Sequence, residues 1–260
     1  RTYSRTGKGE NMRDCKHILE RFLAYLLLCA MAITVLSSCG VKAADLDNTL
    51  KPMEASDKNM TTGSIINPDT EVRAVWIASV FNIDYPSKTD LTAAQLQAEL
   101  DEIVATCVKN KLNTIYFQVR PTCDALYKSE IFPVSSYLST SGTLPLDPLA
   151  YLVKAAHEHN IFVHAWVNPL RVTMNSTDVN TLPANSPARL HPEWTVPFAD
   201  GKLYLNAGLP EVQRLVADGV REIVANYDVD GIIFDDYFYP YPAKNADGTA
   251  AVFDDAAAYA

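Results

Sequence analysis

Hydrophobic and polar positions follow two alternating periods from about residue 71 onward. Short apolar runs rich in β-branched and aromatic residues are separated by longer stretches in which apolar residues recur every three or four positions. The first pattern is typical of buried strands and the second of amphipathic helices. Strands are predicted over 73–79, 114–119, 161–167 and 231–237. Helices are predicted over 92–109, 148–160 and 210–227, with Pro148 and Pro210 in their first turns.

The order of these elements indicates the fold class. Strand and helix alternate, with long inserts after the strands, which is typical of parallel α/β proteins. Near-continuous apolar strands favour a (β/α)8 TIM-type barrel or a doubly wound sheet. The sequence has no Gly-x-Gly-x-x-Gly motif, so a dinucleotide site is not predicted.

Polar residues near the carboxyl ends of the strands favour the barrel. They alternate by two along three strands: Gln118 and Arg120, then His164, Trp166 and Asn168, then Asp235 and Tyr237. Each set is therefore expected to project from one face, which in a barrel points to the centre of the top rim, where active sites lie. These residues could instead have structural roles. Gln118 and Arg120 could form a rim ion pair with Asp124, and His164 could be a hydrogen-bonded imidazole in the core.

The stretch 229–240 carries the most informative chemistry. An Asp-Gly turn leads into an apolar strand, which runs into Asp235, Asp236 and a cluster of aromatic rings before Pro240. Acids beside aromatic rings at a strand end are typical of sugar chemistry. Because adjacent side chains of a strand point to opposite faces, only one of the two aspartates is expected to enter the barrel mouth.

Composition and charge narrow the classes of partner. The chain has 260 residues, 48% of them hydrophobic, which suffices for a sizeable core; a complete barrel takes about 250 residues. Residues 1–38 carry six basic and three acidic side chains, a net charge of +3. Because the whole chain has a net charge of −9, residues 39–260 carry −12. An acidic body argues against nucleic acid or an anionic membrane surface as the main partner.

The amino-terminal segment predicts export. Basic residues precede an apolar run over 22–36 that is too short to span a bilayer, as in a secretory signal. The run ends in 36–40 (LSSCG), which resembles a bacterial lipobox, so residues 1–38 are expected to be upstream residues and signal peptide, and Cys39 to be lipidated. A plain signal peptide or a membrane anchor is the alternative. The lipid would hold the protein at the bacterial cell envelope, on the periplasmic face or the cell surface.

The rest of the chain divides into a tether and a folded domain. Residues 39–70 are polar, lack aromatic residues and have no sustained period, so a flexible tether is predicted there, followed by a barrel domain over 71–260. Cys107 falls in a helical pattern and is expected to be a small core residue, whereas Cys123 lies just past a strand end. A disulfide between them in an oxidising periplasm is the less favoured alternative. The histidines are scattered, so neither a metal site nor a cofactor is predicted.

Six segments occurring in order carry a family resemblance: 73–77 (RAVWI), 117–121 (FQVRP), 124–129 (DALYKS), 164–171 (HAWVNPLR), 205–208 (LNAG) and 230–240 (DGIIFDDYFYP). Together they resemble the glycoside-hydrolase-like family 10 domain of bacterial lipoproteins over residues 71 to about 242. The resemblance implies a TIM-type barrel related to glycosidases and associated with cell-wall or other exported polysaccharide. Ile233 stands where a histidine is expected and Ala207 where a proline is expected; the first departure would weaken a substrate contact.

Glycosidic bond cleavage generally needs two carboxyl groups, one to protonate the leaving oxygen and one to act as nucleophile or base. The segment 230–235 also resembles the strand-four motif of the α-amylase-type barrels, whose last aspartate is the nucleophile. This similarity assigns Asp235 as nucleophile or acid. Asp236, the other catalytic candidate, is expected to pair with a basic residue or to orient Tyr237 or Arg171.

The predicted substrate-binding residues are polar or aromatic: Arg73, Trp76, Gln118, Arg120, His164, Trp166, Asn168, Arg171, Asn206 and Tyr237. The tryptophans could stack on a pyranose ring, and the arginines, His164 and Asn168 could donate to hydroxyl, acetamido or carboxylate groups. The alternatives are core packing for the tryptophans and helix capping for Asn206.

Only four strands are predicted before Ala260, so the chain is expected to hold the first four strand-helix units of a barrel. The resemblance to glycosidase superfamilies implies that the partner carboxylate comes from a later strand. This product alone is therefore expected to be poorly stable and inactive. Three functions remain open: a lipid-anchored glycosidase acting on glycans such as peptidoglycan strands, a carbohydrate-binding lipoprotein without chemistry, and a non-glycosidic hydrolase on the same fold.

Overall fold

The structure, a computed structural model, describes residues 71–235 and 239–259, with the backbone alone for Tyr259. The strands are β1 Ala74–Ile77, β2 Thr114–Arg120, β3 Phe162–Val167, β4 Thr195–Pro197, β5 Leu203–Leu205 and β6 Gly231–Phe234. The helices are α1 Ala93–Asn110, α2 Pro148–His157, α3 Pro187–Leu190 and α4 Pro210–Asn226. Short 3-10 turns span Val80–Asn82, Val179–Thr181, Pro192–Trp194 and Ala256–Tyr259. The predicted signal, lipidated Cys39 and tether lie outside the described residues, as do Asp236 and Tyr237.

Four strands form one parallel sheet in the order β1, β2, β3, β6. Helices α1, α2 and α4 lie in the connections between them, so each long strand is followed by a crossover helix before the next. The α/β class predicted from the periodicity is confirmed, and the arrangement is that of successive units of a TIM-type barrel. Within the described residues the sheet is open, with β1 and β6 at its edges.

The two faces of the sheet differ in composition. One face is apolar and packs under the helices, with Ile115, Phe117, Val163 and Ala165 fully buried. The other, called here the open face, carries side chains in register across the strands: Trp76, Tyr116, Gln118, His164, Trp166 and Ile233. The period-two alternation of the strands thus separates the core from the open face.

The helices begin as their sequences predict. Thr92 forms a capping box with Gln95 at the start of α1, and prolines occupy the first turns of α2 and α4. At α2 the Asp147 carboxylate caps the helix by accepting from Ala150 N at 3.1 Å. Its second oxygen accepts from the hydroxyl of Tyr227 at 2.7 Å, so one carboxylate ties the start of α2 to the residue that follows α4.

The two cysteines of the described part are free and buried, which confirms the core position predicted for Cys107. Cys107 lies on the core face of α1, and burial raises its pKa. Burial also raises the pKa of Cys123, to about 11. Both thiols therefore stay protonated at neutral pH and act as small core residues. In the described part of the chain, no helix is both long and apolar enough to cross a membrane.

An antiparallel hairpin, β4 and β5, occupies the insert between β3 and α4 and was not predicted. Its strands are only three residues long and include Pro197, so they give no periodic signal. All three residues of β5 are nevertheless buried, because β5 packs beside the segment that follows β3. Arg171 of that segment forms an isolated antiparallel backbone bridge with Tyr204. The hairpin places its turn next to the carboxyl ends of the parallel strands.

Candidate functional site

A cleft of about 510 Å³ lies at the carboxyl ends of the parallel strands. The loop after β1, strand β2, strand β3 and the residue after β6 each contribute to its wall, through Phe81, Gln118, Trp166 and Asp235. Its lining also includes Arg171, Met174, the β4–β5 hairpin and residues 239–243. Ligand sites of parallel α/β barrels occur at this end of the sheet.

Asp235 lines this cleft directly after β6 and is 9% exposed. Its Oδ1 accepts from Asn168 Nδ2 at 2.9 Å, and its Oδ2 accepts from Trp166 Nε1 at 3.1 Å. Asn168 is itself oriented, because its Oδ1 accepts from Arg171 N at 2.8 Å. N–H donors on both oxygens fix the orientation of the carboxylate at the cleft wall.

Gln118 connects the cleft to the loop after β1. Its Oε1 accepts from Ser79 N at 2.9 Å and from Val80 N at 3.0 Å, and its backbone carbonyl accepts from the Ser79 hydroxyl. The two backbone donors fix which end of the amide is oxygen, so Nε2 is the end left for the cleft. Gln118 therefore positions the loop and offers a donor to a ligand.

The two predicted tryptophan platforms contact each other on the open face. Trp76 and Trp166 meet edge to face with ring centroids 4.9 Å apart, and Trp76 also tilts against Tyr116 at 4.6 Å. Trp166 lines the cleft, whereas Trp76, 47% exposed, lies beside it on β1. Trp166 thus combines an apolar ring with an N–H that holds Asp235.

Arg120 lies on the opposite face from Gln118, so the predicted alternation is wrong at this position. The register against β3 shifts between Gln118, which pairs with Trp166, and Arg120, which pairs with Val167. This bulge turns Arg120 into the core, where it is 1% exposed and its guanidinium lies 3.6 Å from the ring centroid of Phe132. Asp124 is also buried, which raises its pKa, while the nearby charge of Arg120 opposes that rise, so the pair considered as an alternative would lie in the core and not at the rim.

Two further residues predicted to bind substrate, Arg73 and Asn206, do not line the cleft. Arg73 lies at the amino-terminal end of β1, where its Nε donates to Lys111 O at 2.7 Å, away from the carboxyl ends. Asn206 lies before α4, and its Oδ1 accepts from Gly208 N at 3.0 Å. The helix cap is Leu209, so Asn206 stabilises the preceding turn rather than capping the helix as considered.

His164 lies on the open face one layer below Trp166, outside the cleft lining. Its ring packs edge to face on Tyr116 with centroids 5.3 Å apart, and Gly231 lies against it, since a Cβ on that glycine would be 2.7 Å from Nδ1. Its Nε2 is buried and has no hydrogen-bond partner among residues 71–235 and 239–259. Burial lowers the pKa of His164, so the neutral ring is favoured.

The lowered pKa of His164 predicts a stability that falls in acid. An unfolded histidine protonates near pH 6.5, whereas the folded ring takes its proton at lower pH, so the unfolded state binds more protons as the pH falls below 6.5. When the pH falls from 7.5 to 5.5, the free energy of unfolding of the full-length protein should decrease by a few tenths to about 1 kcal/mol more than that of the His164→Gln variant, after solvent screening. Urea unfolding at both pH values measures this difference. Parallel pH dependences for the two proteins would contradict it.

The cleft also holds residues that the sequence patterns did not indicate. In the hairpin, Asp200 Oδ2 accepts from Lys202 Nζ at 2.7 Å and from the Tyr204 hydroxyl at 2.8 Å. Burial alone would raise the pKa of Asp200, but these donors outweigh it and lower the pKa. Asp200 is therefore held ionised and paired, which suits orientation of a ligand better than proton donation.

The described part of the chain contains no group of three or more histidine, cysteine or acidic side chains placed to hold a metal ion. His157, on α2, pairs instead with Asp230 at 2.9 Å, and Asp230 Oδ2 also accepts from Val163 N. This carboxylate lies at the amino-terminal end of β6, so its role is to join α2, β3 and β6 at the end of the sheet away from the cleft.

Comparison with known proteins places this geometry in a family. Residues 71–257 match the profile of the family described as Glycosyl hydrolase-like 10. The chain is 37% identical over 232 residues to "Glycosyl hydrolase YngK" of Bacillus subtilis, covering 88% of this chain and 40% of that protein. It is 32% identical over 231 residues to "Glycosyl hydrolase DigH" of Escherichia coli K12, covering 82% and 51%. The chain thus spans about half or less of the length of these relatives.

Two solved structures align with part of this chain. A maltogenic α-amylase, AmyB from Thermotoga neapolitana, aligns with a TM-score of 0.42 at 17% identity, covering 64% of this chain and 40% of the other. The GH36 α-galactosidase AgaA from Geobacillus stearothermophilus aligns with a TM-score of 0.41 at 14% identity, covering 63% and 21%.

The family match extends over the parallel sheet, the hairpin and the cleft with Asp235. It therefore includes every described residue that the site uses. The chain belongs to the glycosyl hydrolase-like 10 family.

Proposed function

We propose that the full-length protein is a glycoside hydrolase and that this cleft is its active site. The observation that carries the proposal is Asp235, an acid at a strand end with donors on both oxygens and a tryptophan ring beside it. Its reactive role is nucleophile, or base for water. Glycosidic cleavage also needs a second carboxyl group that protonates the leaving oxygen. Asp200 does not suit that role, because it accepts hydrogen bonds from Lys202 and Tyr204.

The same proposal gives substrate and location. We infer an exported or cell-wall polysaccharide, such as the glycan strands of peptidoglycan, and anchoring to the bacterial envelope through lipidated Cys39. The support is the lipobox-like 36–40 (LSSCG) and the names of the relatives, which are called glycosyl hydrolases. Recovery of the full-length protein in the soluble fraction of its cells would contradict the anchor.

A binding protein without chemistry is the second candidate, and one observation favours it. Ile233 lies on the open face in register with Trp166, two residues before Asp235, where the family resemblance leads one to expect a histidine. An apolar side chain there cannot donate a hydrogen bond to a sugar hydroxyl. If the missing hydrogen bond is one that strengthens in the transition state, its loss lowers turnover more than carbohydrate affinity.

One experiment separates the two candidates. The full-length protein is incubated with purified peptidoglycan strands and a panel of other bacterial polysaccharides, and the products are analysed by mass spectrometry, with calorimetric binding measured in parallel. New reducing ends from one substrate class support the hydrolase. Binding without products supports the second candidate, and neither binding nor products with any glycan would contradict both.

A further inference from the structure

The loop after β1 holds an aromatic residue in an unfavourable backbone conformation. Phe81 has φ 56° and ψ 20°, in the left-handed region, and the following Asn82 also has positive φ. Asparagine tolerates this region, but a bulky residue such as phenylalanine rarely occupies it. The Phe81 ring is 58% exposed, so core burial does not offset the strain. Folding alone would favour glycine or asparagine at this position.

Hydrogen bonds on both sides of Phe81 impose its conformation. Before it, the N–H groups of Ser79 and Val80 donate to Gln118 Oε1. After it, Asn82 Nδ2 donates to Pro86 O and to Tyr137 O, both at 2.9 Å. Strain that the surrounding structure enforces in this way is characteristic of functional positions.

The Phe81 ring faces the same cleft as Asp235. One edge of the ring contacts Tyr137, with centroids 6.1 Å apart and planes at 72°, which fixes its tilt. Gln118 lines the same cleft, and its amide oxygen accepts from the backbone of the loop that carries Phe81. An exposed, fixed aromatic ring beside polar side chains is suited to a ligand with one apolar face and a hydroxyl-bearing rim.

We propose that Phe81 is a binding platform for a pyranose ring of the substrate, at a subsite next to the bond on which Asp235 acts. The inference rests on the proposed function and adds the position of a second sugar. The C–H face of the pyranose packs on the phenyl ring, while its hydroxyl groups reach the polar wall of the cleft. Because the contact is apolar, it selects the shape of the sugar ring and not its charge.

The test uses the full-length protein and two substitutions of Phe81. Phe81→Asn removes the ring and suits the left-handed backbone, so its Tm should equal or exceed that of the wild type. Its KM for an oligosaccharide substrate should rise about ten-fold, with kcat changed by less than about two-fold. Phe81→Tyr keeps the ring and should keep the wild-type KM. Leu190→Asn, which changes an equally exposed apolar residue outside the cleft, is the matched control and should leave KM unchanged.

The outcomes distinguish this inference from the function on which it rests. A raised KM for Phe81→Asn with a retained Tm supports the platform. An unchanged KM in a protein that does cleave the oligosaccharide would overturn the platform and leave the hydrolase standing. A wild-type protein that neither binds nor cleaves any glycan would overturn both.

Discussion

Replacing Asp235 with asparagine in the full-length protein should lower kcat by about 10²–10⁴-fold, the usual range for loss of a group that acts as nucleophile or base. The side chain keeps its shape, so the affinity for oligosaccharide should stay within about three-fold of the wild type. One consequence is structural. An amide has a single oxygen, so it cannot accept from both Trp166 Nε1 and Asn168 Nδ2 as the carboxylate does.

That lost acceptor should cost about 1–2 kcal/mol of stability, and turnover must therefore be measured below the Tm of the variant. Asp228→Asn is the matched control, because it makes the same chemical change near β6 on a side chain that is 94% exposed. It should leave both kcat and Tm unaltered. A kcat for Asp235→Asn within about two-fold of the wild type would remove Asp235 from the mechanism.

Replacing Gly219 with alanine should destabilise the full-length protein by about 2–3 kcal/mol, although the same change inside a helix ordinarily stabilises by up to about 1 kcal/mol. A Cβ at this position of α4 would overlap Arg120 Nη1 and would lie 2.8 Å from Phe132 Cε2. Both neighbours are buried, at 1% and 3% exposure, and the guanidinium is stacked on the phenyl ring. Neither can move without disturbing the core.

Urea unfolding of the two proteins measures this change, with m-values compared to establish that the transition remains cooperative. Ala217→Gly, at an exposed position of the same helix, gives the propensity effect alone and should cost about 1 kcal/mol. Adding Phe132→Leu to Gly219→Ala should recover part of the loss, since it relieves one of the two contacts. An increase in stability for Gly219→Ala would show that Arg120 does not pack as described.

The long elements of the fold could be predicted from the sequence because their periodicity extends over many residues. Helices α1 and α4 and strands β2 and β3 repeat one pattern long enough for the buried face to be identified. The β4–β5 hairpin could not be predicted, since three-residue strands carry too few positions to show a period. Its burial depends on contacts with the segment after β3, which are tertiary.

Part of the candidate site could be predicted, because it is built on the regular strands. Gln118, Trp166, Asn168 and Asp235 lie near the carboxyl ends of regular parallel strands, so their meeting at one edge follows from topology. Arg120 departs from this rule because the bulge in β2 reverses the alternation, and no local sequence feature marks it.

The cleft residues that sequence reasoning missed belong to irregular segments. Asp200, Lys202 and Tyr204 reach the cleft through the hairpin, and Phe81 reaches it through a loop whose left-handed conformation depends on the distant Gln118. Arg73 shows the opposite error, because it belongs to a family-like segment but lies at the amino-terminal end of its strand. Membership of a motif does not by itself place a side chain at the active end of the sheet.

The most direct test of the central claim is a crystal structure of the full-length Asp235→Asn variant with a bound oligosaccharide. If this cleft acts on a glycosidic bond, an anomeric carbon or glycosidic oxygen should lie within about 3.5 Å of the side chain at position 235, or one water further away if that residue activates water. A sugar ring should also rest near Trp166. An oligosaccharide bound elsewhere, with this cleft empty, would contradict the account.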